Sequence, residues 1–259
     1  MAASLLLACG LNEQKLPSAI HLSEESDIDG SFLISSILGQ RLRIQNSGVI
    51  LICLQQNYQH YMNAGIRLGY NLNMFNGKNL YVHEPILDII KSNFCENSTA
   101  PSSEINDSIF SDEIFKFIEK IIKEKFIEKT SITIILDNLS ILMNMGESYR
   151  SILKFYENLK EFIENIMNES TKSITLLTKL NNCDLFNVLD NNLIRMSDLH
   201  IRVVKLKSGA FKEVDGKLII TKDEIIEFCQ INKNEKNILY KVNDKNIKIF
   251  NPGEVGIKI

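Results

Sequence analysis

The sequence predicts an α/β fold in which a mostly parallel central sheet, with helices on both faces, is closed at its C-terminal end by an antiparallel meander. Three observations predict it. Val49–Leu54 (VILICL), the run SITIILD ending at Asp137 and Ser173–Leu180 (SITLLTKL) are largely apolar stretches of strand length, the pattern of strands covered on both faces. They alternate with stretches of helical periodicity, and strand–helix units in succession imply right-handed crossovers within one doubly wound sheet. From Ser197 the pattern changes: DLHIRVVKLK followed by LIITK, and ILYKV joined to IKIF through NDKN, read as hairpins.

At the start, MAASLLLACG has a short apolar run with no basic residue ahead of it, so it is expected to pack on the domain rather than to act as a leader. The chain is organised around Ser18–Ile44. Ala19, Ile20 and Leu22 form a short strand, Ser23 to Gly30 a polar turn, and Ser31 opens a helix with Phe32, Leu33, Ser36 and Ile37 at helical spacing. Arg41 and Arg43 suit the carboxyl end of its macrodipole. After the strand VILICL, Gln55–Tyr70 reads as a second helix carrying Tyr58, Tyr61, Met62 and Ile66. Leu80–Pro85 is a third strand, with Pro85 in the first turn of PILDII. Ser92–Ser108 is polar and aperiodic, a flexible surface insertion inside a single domain spanning 1–259. Ile109–Lys129 is an amphipathic helix with Ile114, Ile118, Ile121 and Ile122 facing inward, and Glu147–Met167 is the longest helix. A parallel half followed by an antiparallel meander is the layout of RecA-type ATPase domains.

In a P-loop ATPase the first strand–turn–helix holds the phosphates, using glycine for close backbone approach, lysine for charge and Ser/Thr for magnesium. Here that segment carries Glu24, Glu25, Asp27 and Asp29 and no lysine, and each carboxylate would repel a triphosphate by roughly 1 kcal/mol or more. The two Gly-Lys pairs continue as Gly77-Lys78-Asn79 and Gly216-Lys217-Leu218, so no Walker A motif is present. Asp137, closing the run ITIIL, matches a Walker B magnesium ligand, but an aspartate at a strand end more often caps the following turn. His21, His60, His83 and His200 are scattered without HExxH or a carboxylate at ligand spacing, so no metal site is expected. There is no GxSxG and no cysteine in a nucleophile setting, hence no expected catalytic residue and no cofactor. The tyrosines of NYQHY could stack on bases, yet their spacing favours packing.

A net charge of −3 gives no general attraction for nucleic acid, so any such contact rests on a local patch or on partner chains. Five widely spaced cysteines without a CxxC pair suit reduced thiols inside the cell, in the cytoplasm, with the nucleus left open as a second compartment. No stretch is long and apolar enough to span a membrane.

The runs DGSFLISSIL, VILICLQQNYQHYMNAGIRLGYNL, ITIILDNLSILMNMG, SDLHIRVVKLKSGAFKEVDGKLII and LYKVNDKNIKIFNPG, in that order, resemble the family of subunit 6 of the Elongator complex from about Ile20 to Gly253. The GSFL segment after an acidic turn, and QxYxHY followed by GxxLG, are the most specific parts. The resemblance implies a RecA-like domain assembled with Elongator subunits 4 and 5 into a heterohexameric ring. That ring joins the catalytic Elongator subcomplex, binds tRNA and supports modification of the wobble uridine (U34), while the chemistry belongs to another subunit. In such rings the loops after the fourth and fifth core strands, here Asn138–Gly146 and Thr178–Asp184, tend to face the channel, and Lys179 and Arg195 are the candidates for RNA phosphate contact. Two alternatives remain: an ATPase with an irregular phosphate loop that uses Asp137 for magnesium, and a scaffold that never touches RNA.

Overall fold

The computed structural model describes residues 2–11, 14–88, 109–206, 213–226 and 230–251. The expected insertion at 92–108 lies outside them. In chain order the elements are α1 (Ala2–Ala8), β1 (Ala19–Glu25), α2 (Ser31–Arg41), β2 (Ser47–Cys53), α3 (Tyr58–Arg67), β3 (Leu80–His83), α4 (Ile109–Glu124), β4 (Ser131–Asp137), α5 (Ser140–Asn144), α6 (Tyr149–Glu169), β5 (Ser173–Asn182), α7 (Asn187–Arg195), β6 (Leu199–Val204), β7 (Gly216–Ile226), β8 (Gln230–Val242) and β9 (Ile247–Phe250).

The strands form one nine-stranded sheet in the order β3-β2-β4-β5-β1-β6-β7-β8-β9. Neighbours from β3 to β6 are parallel, and β6 to β9 are antiparallel. The expected change of grammar after Ser197 therefore falls between β6 and β7. β6 itself is the last parallel strand; both expected hairpins are present as β6–β7 and β8–β9, and β7 and β8 extend beyond LIITK and ILYKV to pair with each other. Four-residue strands, β3 and β9, lie at the two edges.

Apolar side chains of alternate parity along the buried strands divide into two cores. Leu22, Leu51, Ile135 and Leu177 pack under α1, α2 and α3, whereas Ile50, Ile134, Leu136 and Leu176 pack under α4 to α7. The inward isoleucines of α4 are buried as expected, and Glu119 meets Lys123 at 2.7 Å on the outer face. The N-caps of α3 and α6 are Asn57 and Ser148, which accept the backbone N–H of His60 at 2.9 Å and of Ser151 at 3.1 Å.

Helix α2 is buried nearly all round, which requires close approach to its neighbours. Tyr70 wedges between α2 and α3, where only hydrogens stand in its way. A Cβ on Gly39 would lie 2.5 Å from the Tyr70 ring, and one on Gly65 would lie 2.8 Å from it. The Tyr70 hydroxyl donates to the Ser35 carbonyl at 2.5 Å, which fixes the ring in that slot.

Two expected boundaries differ. Strand β1 runs on through Glu24 and Glu25, so only Asp27 and Asp29 belong to the turn. Strand β5 continues to Asn182, so most of the stretch Thr178–Asp184 is ladder rather than loop. In both cases polar side chains at a strand's end resemble a turn in sequence, although the mutual pairing of β1 and β5 extends the ladder as far as Glu25 and Asn182.

Candidate functional site

The carboxyl ends of β2, β4, β5 and β1 lie side by side, and the turn from β1 into α2 closes over them. This is where open α/β sheets bind ligands. Register and parity set the site: Lys179 pairs with Leu22 across β5 and β1, so Lys179, Glu24 and Asp137 all point to the α2–α3 face, as Leu177, Leu22 and Ile135 do.

Lys179 is completely buried. Its Nζ donates to Gln55 Oε1 at 2.8 Å and lies 3.3 Å from Glu24 Oε1, 3.4 Å from Asp137 Oδ1 and 3.9 Å from Asp29 Oδ1. Lys179, expected to reach an RNA phosphate, thus has its ammonium enclosed by carboxylates in this chain. The remaining oxygens are also engaged. Glu24 Oε2 accepts the Gly30 N–H at 2.7 Å, Asp137 Oδ2 accepts the Gln56 N–H at 2.9 Å, and Asp29 accepts the Ser31 N–H at 2.8 Å and the Ser31 hydroxyl at 2.7 Å. Burial pushes the Glu24 carboxyl above the usual carboxylate range, partly offset by the Lys179 ammonium and the Gly30 N–H. Asp137 Oδ1 is wholly buried and lies 3.4 Å from the Lys179 ammonium, and the buried Tyr61 hydroxyl also interacts with the Asp137 carboxylate.

A RecA-type layout implies a magnesium nucleotide at this edge, and the groups present do not fit one. The backbone N–H groups at the start of α2 that would cradle phosphate are taken by Glu24 and Asp29, and the Ser31 hydroxyl that would bind magnesium is donated to Asp29. Asp137 keeps the position of a Walker B residue, but a lysine stands against it.

Arg195 is exposed at the last turn of α7. It is not brought near Lys179. Helix α7 returns the chain to the beginning of β6, where Leu199 pairs with Ile20, so Arg195 lies toward the amino-terminal end of the sheet. Beside the turn, a groove of about 560 Å³ runs between α2, α3 and the β8–β9 connection, lined among others by Asp29, His60, Arg67, Tyr240 and Asp244.

On the opposite face of β1 the structure assembles a second polar group that sequence spacing does not disclose. His21 Nε2 lies 2.9 Å from Asp190 Oδ1 and its Nδ1 lies 2.8 Å from the Thr178 hydroxyl. Ser23 donates to Asp190 at 2.7 Å, its oxygen is 2.8 Å from His200 Nε2, and Asn182 donates to Asp190 Oδ2 at 2.7 Å. His21 and His200, expected to be scattered, stack with centroids 5.7 Å apart. Ser23 and His21 are fully buried and Asp190 accepts from both, which ties β1 to α7 through one polar network. Among the described residues no group of three or more His, Cys, Asp or Glu side chains could hold a metal.

The family described as Elongation complex protein 6 matches residues 4–244. The sequence is 44% identical to Elongator complex protein 6 of Drosophila melanogaster over 265 positions, spanning 100% of both chains. It is 25% identical to Elongator complex protein 6 of Danio rerio, over 92% of this chain and 91% of that one. Among solved structures, flagellar accessory protein FlaH from Methanocaldococcus jannaschii superposes with a TM-score of 0.59 at 16% identity, covering 95% of each chain. A KaiC-like protein from Pyrococcus horikoshii OT3 superposes with a TM-score of 0.57 at 10% identity, covering 90% of this chain and 89% of that one. At such identities the likeness is one of fold, and that fold is RecA-like, as expected from the sequence.

Proposed function

The chain belongs to the Elongator complex protein 6 family, and from that membership we propose that it serves as a subunit without chemistry of its own in a heterohexameric RecA-like ring with Elongator subunits 4 and 5. The ring binds tRNA and supports modification of the wobble uridine by the catalytic half of the complex, in the cytoplasm. The family match supports the assembly. The observation that carries the absence of chemistry is the Glu24 carboxylate on the Gly30 N–H, with Lys179 against Asp137: the groups that would grip a nucleotide grip one another.

Co-expression with the chains of subunits 4 and 5 tests the reading. A stable complex containing all three is expected, and this chain purified alone is expected to give no heat on titration with ATP and magnesium. A soluble lone chain that ignores both partners would defeat the assembly; micromolar ATP binding lost on Asp137→Ala would favour the irregular ATPase.

The exposed Arg195 remains the candidate for phosphate contact, while Lys179 is withdrawn from that role. In the assembled complex, Arg195→Ala is expected to weaken tRNA binding uniformly across sequences and to reduce the slope of log K against log salt by about 0.7 to 0.9, the share of one neutralised phosphate. An unchanged slope would remove Arg195 from the interface.

A further inference from the structure

Residues 30–83 contain no aspartate or glutamate, although the chain carries 32 of them. This is not only an interior stretch. Its second half forms α3, the 3-10 turn Leu72–Met74 and the loop before β3, where Asn63, Ile66, Arg67, Met74 and Lys78 are exposed. Between the end of α2, the end of α3 and that turn runs a shallow groove of about 620 Å³, lined by Arg43, Ile66, Tyr70, Asn71, Met74 and Phe75 together with Gly69. All of its walls come from the acid-free stretch, so the lining holds one positive charge and no negative one. Ile66 is 59% exposed and Met74 70%, two large apolar side chains at one groove rather than scattered singly. Arg43 Nη2 donates to the Gly69 carbonyl at 3.0 Å and its guanidinium lies 6.0 Å from the centre of the Tyr70 ring. The fork is thereby held at the groove while other N–H groups of its five remain for a carboxylate.

We propose that this groove seats a segment of another protein chain of the complex, one that carries an acidic side chain flanked by apolar ones. The carboxylate meets Arg43, and the apolar side chains cover Ile66, Met74 and Phe75. Charge decides the sign of the occupant, since a basic segment would find no counter-charge in these walls. Apolar exposure decides its class. An RNA strand would set phosphates against Ile66 and Met74, and the aromatic faces are not open for bases to stack on: Tyr70 is buried and Phe75 half-buried. A protein segment instead removes both apolar side chains from water, with the arginine as a polar anchor beside them. This rests on the assembly role proposed above and adds the surface and the chemistry of the contact.

The test uses the complete complex purified from cells, with Met74 replaced by the photo-crosslinker p-benzoylphenylalanine and the crosslinked products identified by mass spectrometry. The expected product joins Met74's position to a protein segment in which an Asp or Glu stands close to large apolar residues. Arg43→Glu is expected to lower the yield of that crosslink about fivefold or more, by setting like charges against each other, and Arg43→Lys to retain most of it. Should Arg43→Glu not yield folded protein, Ile66→Asp, at an exposed position, is read in the same way. Crosslinks to RNA, to a segment without carboxylates or to nothing overturn the proposal, as does an undiminished yield in a folded variant, and each leaves the assembly role intact. A chain that enters no complex with subunits 4 and 5 overturns the assembly role and, with it, the proposal.

Discussion

Asp190→Ala is expected to destabilise the chain by about 3 to 5 kcal/mol in urea at neutral pH, because it strands several buried partners at once. His21, Ser23 and Asn182 all direct polar hydrogens at this buried carboxylate. The loss depends on pH with a defined sign. Burial alone would raise the Asp190 carboxyl, but the hydrogen bonds and attraction from His21, with Ser23 and Asn182 donating, outweigh it and hold the group below its ordinary range. The folded value is thus below the unfolded one of about 4, so the contribution is complete above about pH 4 and disappears as pH falls through the lowered value. Denaturation curves of wild type and Asp190→Ala should converge in acid. A gap that stays constant down to about pH 2.5, well below the unfolded carboxyl's range, would mean that the carboxylate's charge has no part in it.

Gly39→Val is the second large effect, a loss of about 3 kcal/mol or more, at the upper end of what overpacking costs. Even the first added carbon would lie 2.5 Å from Tyr70, and the ring cannot swing aside. Gly65 closes its other side and the Ser35 carbonyl holds its hydroxyl. The coupling can be measured. Tyr70→Leu made in the Gly39→Val background should recover part of the loss, so the double variant falls well short of the sum of the two singles. Strict additivity would show that the valine finds room elsewhere.

The RecA-like architecture was legible because parallel strands buried on both faces leave continuous apolar runs, and VILICL, SITIILD and SITLLTKL are such runs. The site was legible only in part. Asp137 and the carboxylates around Gly30 stood out, but Glu24 looked like a turn residue and Lys179 like an accessible loop cation, since both types are seldom fully buried. Their shared face follows from parity once the register is known: Glu24 is two residues beyond Leu22, Asp137 two beyond Ile135 and Lys179 two beyond Leu177. The register itself depends on pairings far apart in sequence, which no local pattern encodes. The same holds for His21 and Asp190, which are separated by 169 positions and joined only by the placement of α7 against β1 and β5.

The narrow outermost strand β3, four residues long, has a consequence for how copies of this protein meet other molecules. A long bare flank offers a backbone ladder to any passing strand, whatever its sequence, and invites indiscriminate stacking. On the β3 side, so short a flank leaves association to side chains on helices and connecting segments. Those surfaces can be matched to one neighbour and mismatched to another, which a backbone ladder cannot.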